Sequence, residues 1–302
     1  MNKLYGTVIP IVTPLNEDDT IDIASLHALV DHCIDGGMNC LYPCGTTGEM
    51  MYLTVEERKL VAEETVRHAR GRVPVYVHVG AWNLKDTIEL AQHAVEIGAD
   101  GIGVVTPSFY KLSDRGLVDF YKSVSAAIPE DFPMYLYAIP QNAVNDINRS
   151  VAAELAASCK NIVGIKYSYP DFTRLQEFMT IQDGEFSVLV GPDHLFEAVC
   201  AVGGDGVVSG NAMIVREHYS KLWEAIQNKD FELATKLQRR TNTLNATLCA
   251  INNIAAYKTV LKAEGVLRTT RMRRPMENLT PEQETQLLER LKELRYKEVL
   301  IG

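Results

Sequence analysis

Ile97-Gly98-Ala99-Asp100-Gly101-Ile102 closes one kind of structure and opens another. Before it, Leu84, Ile88, Ala91 and Val95 are spaced four, three and four apart and share one helical face. After it, residues 102–106 run without polar interruption. Glycine takes the left-handed conformation that ends a helix, aspartate tolerates the turn that follows, and the apolar run starts a buried strand. The same grammar returns at Asp35-Gly36-Gly37-Met38-Asn39-Cys40-Leu41 and at Val202-Gly203-Gly204-Asp205-Gly206-Val207. A junction used three times marks a chain that alternates helix and strand.

Further apolar runs fall at 7–12, 40–44, 75–79, 134–139, 162–165, 188–190 and 207–209, which with 102–106 makes eight, recurring at intervals of roughly 18 to 35 residues. Nearly all are apolar on both faces, as parallel strands are when helices cover one side and a barrel interior the other. Thr54-Val55-Glu56-Glu57 has the form of a capping box opening one intervening helix. Beyond residue 215 the strand signal stops, and helical stretches fall near 215–227, 231–248, 251–264 and 281–294. The expected fold is α/β, a (β/α)8 TIM barrel with a C-terminal helical extension. Residues 1–228 are expected to form the catalytic barrel and 229–302 a helical region packed on it, since no Pro/Ser-rich linker separates them.

Composition narrows the function. The chain has 302 residues, 46% apolar and 23% charged, ample for a large core. A net charge of −9 argues against nucleic acid as the main partner. The one basic cluster, Arg268, Arg271, Arg273 and Arg274, reads as a solvated loop before the last helix. Cys33, Cys40, Cys44, Cys159, Cys200 and Cys249 show neither a CxxC pair nor zinc-site spacing and read as reduced core residues. His78 and His194 end two strand runs without metal-ligand spacing, so no metal is expected. No signal segment and no apolar stretch of membrane length is found, which points to the cytoplasm and away from a membrane.

In such a barrel the chemistry lies at the carboxyl ends of the strands. Lys166 ends Ile162-Val163-Gly164-Ile165. A lysine there either snorkels to the surface or sits stripped of water, where an amine sheds its proton more readily and can attack a carbonyl. Gly45-Thr46-Thr47-Gly48-Glu49 is no P-loop, but two exposed N–H groups with two hydroxyls suit a carboxylate. Tyr137 shares strand parity with Tyr135 and either fills the core or moves protons at the strand mouth.

These residues, in this order, resemble the family of dihydrodipicolinate synthase and N-acetylneuraminate lyase, class I aldolases that use or release pyruvate. The likeness runs from Gly6-Thr7-Val8-Ile9-Pro10-Ile11-Val12-Thr13-Pro14 through Gly-Thr-Thr-Gly-Glu, the Tyr-x-x-Pro at Tyr137 and the Val-Gly-Ile-Lys ending at Lys166, to Arg274-Pro275. The resemblance implies that Lys166 is the Schiff-base lysine, that Tyr137 relays protons with Thr46, and that Thr46 and Thr47, with Gly45, hold the keto acid's carboxylate. It implies no cofactor beyond the covalent Schiff base, pyruvate and an aldehyde as reaction partners, and a homotetramer or homodimer.

The departures bear on the substrate. Phe109 stands where the family usually has a relay tyrosine, with Tyr110 one place on, and Gln141 and Asn142 stand where synthases carry an arginine for the second substrate's carboxylate. Asn252-Asn253-Ile254-Ala255-Ala256-Tyr257-Lys258 replaces the synthases' Asn-Pro-x-Pro-Val-Lys. Asp193 matches the lyases' aspartate, whereas His194 replaces their glutamate. With Ser168, Ser209 and Asn211 these two form a polar ring that favours a 2-keto-3-deoxy sugar acid or a similar hydroxylated keto acid, and Val208 is expected to touch the substrate beside it. The alternatives are 4-hydroxy-tetrahydrodipicolinate synthase activity on pyruvate and aspartate semialdehyde, N-acetylneuraminate lyase activity, and a keto-acid-binding barrel without turnover.

Overall fold

A computed structural model describes residues 3–299. The strands are β1 Gly6–Ile9, β2 Cys40–Leu41, β3 Tyr76–His78, β4 Gly101–Val105, β5 Met134–Ala138, β6 Ile162–Tyr167, β7 Ser187–Val190 and β8 Gly206–Val208. Every pairing between them is parallel, in the order β2-β1-β8-β7-β6-β5-β4-β3. A parallel bridge between Leu41 and Val75 joins the two ends, so the sheet closes into the expected (β/α)8 barrel.

The helices are α1 Ile23–Asp35, α2 Val55–Ala69, α3 Leu84–Glu96, α4 Asp114–Ser125, α5 Pro140–Ala143, α6 Arg149–Ser158, α7 Phe172–Met179 and α8 Phe196–Ala201. After β8 come α9 Arg216–Gln227, α10 Phe231–Leu248, α11 Asn253–Ala263 and α12 Pro281–Glu293. Thr54 and Glu57 form the capping box expected at the start of α2, each side chain accepting from the other's backbone N–H.

The helix-to-strand junctions take the predicted conformation, with Gly37, Gly98 and Gly203 at φ +77°, +72° and +108°. The polar residue after each glycine does more than tolerate a turn. Asn39 Oδ1 accepts from Thr7 N at 2.8 Å, Asp100 Oδ2 from Val75 N at 2.8 Å and Asp205 Oδ2 from Val188 N at 2.7 Å. Each backbone N–H of the same three polar residues returns a bond to the carbonyl of the residue it clamps. The junction at the foot of one strand thus fixes the foot of its neighbour.

Side chains pack in two shells. Val8, Cys40, Tyr42, Tyr76, Tyr135, Leu189 and Val208, drawn mostly from separate strands, form a compact inner cluster. A Cβ on Gly103 of β4 would lie 1.8 Å from the Tyr42 hydroxyl, so the Tyr42 ring spans the interior to reach β4. The larger outer cluster lies between strands and helices and takes in Leu237, Leu244, Leu248, Val260, Leu261, Leu287 and Leu291 of the C-terminal helices. Each such leucine contributes about 1.5–3 kcal/mol by leaving water.

Some expectations need correction. The run 40–44 is a strand only over Cys40–Leu41, because Cys44 turns to φ +62° and leads into the Gly45–Gly48 turn. Cys33, Cys40, Cys44 and Cys159 are buried as expected, but Cys200 is half-buried and Cys249 exposed. The arginine cluster is not simply solvated: Arg271 grips Asp19 through Nε and a terminal nitrogen at 2.7 and 2.9 Å, and Arg273 reaches Glu57 at 2.6 Å. Opposite charges at Asp19 in the first loop and at Glu57 in the first turn of α2, invisible to local pattern reading, draw this segment onto the barrel.

Candidate active site

Parallel register makes Tyr137 and Lys166 partners across β5 and β6, and Lys166 and Leu189 partners across β6 and β7. Neighbours in register point the same way, so the amine and the phenol project together into the upper barrel. Lys166 is 7% exposed, and its Nζ lies 4.0 Å from the centre of the Tyr137 ring and 5.5 Å from that of Tyr42. The amine is thus held between aromatic faces at the rim of a cavity of about 570 Å³.

The Gly45–Gly48 turn supplies the opposite wall. Gly48 N and Met50 N donate to Gly45 O, and Glu49 N donates to Thr46 O. Those bonds engage the amides after the threonine pair and leave the amides of Thr46 and Thr47 outside the turn's own hydrogen bonding. Thr46 Oγ1 lies 3.2 Å from the Tyr137 hydroxyl. An amine, a phenol and a hydroxyl therefore stand in sequence beside two donor-rich residues, an arrangement fit for condensing an amine with a carbonyl next to a carboxylate.

Electrostatics behind this group favour neutral neighbours. His78 packs edge-on to Tyr137, with ring centres 5.8 Å apart, and Nδ1 donates to Cys44 O at 3.0 Å. Burial, then the charges of Arg58 and Lys166, holds its imidazole well below the usual range. Burial likewise pushes the Tyr42 phenol well above the ordinary tyrosine range, so both remain uncharged at neutral pH.

The far wall is a polar network. Asp193 accepts from Asn211 Nδ2 at 2.8 Å and from the Tyr219 hydroxyl at 2.7 Å. Tyr219 also receives bonds from Ser209 Oγ and Asn245 Nδ2, both at 2.9 Å, and Tyr257 donates to Asn211 Oδ1 at 3.0 Å. Burial raises the Asp193 carboxyl above its ordinary value against these stabilising donors.

Thr46, Thr47, Tyr137, Lys166, Ser168, Asp193, His194, Val208 and Asn211 of the residues singled out in the sequence line this one cavity. Three others do not. Gly45 shapes the turn beneath it, Ser209 is buried behind Tyr219, and Tyr110 is 74% exposed. Gln141, Asn242, Asn245, Cys249, Asn253 and Tyr257 also line it, and strand-end reasoning missed five of these because they ride on α10, α11 and the turn between them. Their only sequence signal is a concentration of Asn on otherwise amphipathic helices. Among the described residues no group of His, Cys, Asp and Glu is clustered to hold a metal ion, and no helix is long and apolar enough to cross a membrane.

Comparison with known proteins agrees with this geometry. The sequence profile of the dihydrodipicolinate synthetase family matches residues 3–294. The 4-hydroxy-tetrahydrodipicolinate synthase of Aquifex aeolicus is 32% identical over 287 residues, covering 95% of this chain and 96% of its own. Among solved structures, a prophage protein of the dihydrodipicolinic acid synthase family from E. coli, in complex with pyruvate, superposes with a TM-score of 0.91 at 28% identity, covering 97% of this chain and 99% of its own. The sialic acid aldolase of Ruminococcus gnavus does so with a TM-score of 0.91 at 26% identity, covering 98% and 99%. With the amine, phenol and threonine pair assembled in one cavity, the chain belongs to the dihydrodipicolinate synthetase family and is a pyruvate-dependent lyase of the class I aldolase kind.

Proposed function

We propose that Lys166 forms a Schiff base with pyruvate and that the resulting enamine adds to an aldehyde, or is released by the reverse cleavage. The observation that carries this is the buried Nζ of Lys166 lying 4.0 Å over the Tyr137 ring, whose hydroxyl is 3.2 Å from Thr46 Oγ1. The amine attacks C2 of the keto acid, and the carbinolamine loses water to give an iminium. That iminium withdraws electrons, a C3 proton leaves, and the enamine carbon bonds to the aldehyde carbon, whose oxygen takes up a proton. Water then returns the amine and releases product. Tyr137 carries these protons, with Thr46 as the next group in line, while Thr46 and Thr47 hold the carboxylate through N–H and hydroxyl donors. No added cofactor is needed, because the iminium is itself the electron sink.

For the acceptor, the curated relative from A. aeolicus supports 4-hydroxy-tetrahydrodipicolinate synthase activity, with pyruvate and aspartate semialdehyde as substrates. This reverses the order drawn from sequence alone. The hydroxylated keto acid stands as the second reading on one observation: among the described residues Lys166 is the only Lys or Arg lining the cavity, and Gln141, whose amide donates to Ser168 O at 2.7 Å, offers no guanidinium for a second carboxylate.

Borohydride reduction with pyruvate, followed by peptide mass analysis, tests the chemistry. The reduced adduct is expected on Lys166 and absent from Lys166→Arg; an adduct elsewhere in the unmodified protein sinks the mechanism. Turnover of aspartate semialdehyde against a panel of keto-deoxy sugar acids then separates the two acceptor readings, and turnover of neither class returns the chain to a keto-acid-binding barrel.

A further inference from the structure

Below the threonine pair the chain buries a full ion pair. Glu49 and Lys258 side chains are 0% and 1% exposed and bonded directly to each other. The second Glu49 oxygen accepts from Arg273 N at 2.7 Å, and Lys258 donates a second bond to Arg271 O at 2.6 Å. Glu49 also takes φ +61°, a conformation costly for a residue with a side chain. Such a constellation persists only where its surroundings fix it, since a buried charge without its partner is strongly unfavourable.

The placement gives the pair its meaning. Glu49 ends the turn whose carbonyls at Gly45 and Thr46 receive Met50 N and Glu49 N. Lys258 sits on α11, where the preceding residue, Tyr257, bonds Asn211 in the far wall. The segment that receives Lys258 is itself fastened to the barrel by Arg271 on Asp19 and Arg273 on Glu57. The C-terminal helices therefore hold both the threonine turn and the polar wall through two consecutive residues of one helix.

We propose that Lys258 is a positioning residue: through Glu49 it sets the place of the Thr46–Thr47 turn and so governs keto-acid binding, although neither member of the pair lines the Lys166 cavity. This rests on the assignment of the keto acid's carboxylate to Thr46 and Thr47. The pair acts on pyruvate and leaves the acceptor end, held by Asp193 and Asn211, in place.

The test uses the full chain and two variants. Lys258→Met alone strands the Glu49 charge and is prone to misfold, so Glu49→Gln/Lys258→Met, which removes both charges, is paired with the nearly isosteric Glu49→Gln, in which the Lys258 amine keeps an amide oxygen at position 49 and Arg271 O as acceptors and can shed its proton. Borohydride trapping on Lys166 is titrated with pyruvate, beside KM for each substrate and the melting temperature. The double variant is expected to need at least about ten-fold more pyruvate for half-maximal trapping, and Glu49→Gln about three-fold more, with trapping complete at saturation and the acceptor's KM within about two-fold of the parent. Parent-like half-saturation in a folded double variant, or in Glu49→Gln where the double variant does not fold, overturns the proposal. A rise in both KM values alike assigns the pair a general structural role and overturns it too. If the unmodified protein takes no adduct on Lys166, the underlying functional reading has failed instead.

Discussion

At the scale of single residues burial suppresses the charge of His78, Tyr42 and Asp193 around the site, and Cys249 gives that idea a direct probe. Its thiol lines the cavity 3.6 Å from Asn211 Oδ1, the residue as a whole is exposed, and burial of the sulfur, then the Asp193 charge, raises its pKa. A raised thiol is mostly protonated at neutral pH, so alkylation by iodoacetamide should be slow at pH 7 and faster by nearly two orders of magnitude at pH 9, since the thiolate grows about ten-fold per pH unit below the thiol's pKa. The added group fills space beside Asn211 and Tyr257, so labelled protein should lose turnover while still trapping pyruvate on Lys166, and Cys249→Ser should be spared. Full turnover at stoichiometric labelling would show that the acceptor does not use this wall. Nothing in the sequence marked Cys249 for this place: it follows a long amphipathic helix, and only the docking of α10 and α11 over the barrel mouth brings it to the cavity. Lys166 and Tyr137 could be placed at strand ends from the sequence, but a lysine there can also snorkel and a tyrosine fill the core, so it was the resemblance to the aldolase family that singled them out.

At the scale of elements the repeated junction carries the fold. Its glycines were readable as helix stops, but its Asn or Asp was readable only as turn-compatible, since the amide it accepts belongs to another strand 17 to 32 positions away. Asn39→Ala, Asp100→Ala and Asp205→Ala should each cost about 1 kcal/mol, toward the lower end for a lost partner because all three residues are at least partly exposed. The clamps serve different strand pairs, so the losses should add to within about 0.5 kcal/mol in the triple variant. Half-saturation by pyruvate should not move, because these bonds lie at the amino ends of the strands and the cavity at the carboxyl ends. Denaturant unfolding of the single and triple variants measures both claims, and a pyruvate shift in any of them would mean that the two ends of the barrel are coupled.

At the scale of the whole molecule, buried imidazoles make stability depend on pH. His78 and His218 are 1% and 0% exposed, and burial is the largest cause holding each below the ordinary histidine value, well below for His78. Above pH 6.5, the ordinary value, both folded and unfolded chains carry these rings neutral, and they add no pH dependence. As pH falls below that value the unfolded chain takes up protons that the native chain refuses, so stability drops by about 1.4 kcal/mol per pH unit for each such histidine until its native pKa is reached. Asp193 works in the opposite sense, because a carboxyl raised in the native state binds its proton there first and stabilises the fold as pH falls through the range above 3.8. His32 and His93 are also held below the ordinary value and Asp146 is raised as Asp193 is, so four histidines against two carboxyls leave a net loss between pH 6.5 and 5. The urea midpoint should therefore hold steady from pH 8 to 6.5 and fall by pH 5, and His78→Gln should flatten the fall while lowering the midpoint at pH 8, where its packing against Tyr137 is lost. A midpoint that stays level down to pH 5 would mean that water reaches His78 and that the dry wall behind Lys166 and Tyr137 does not exist.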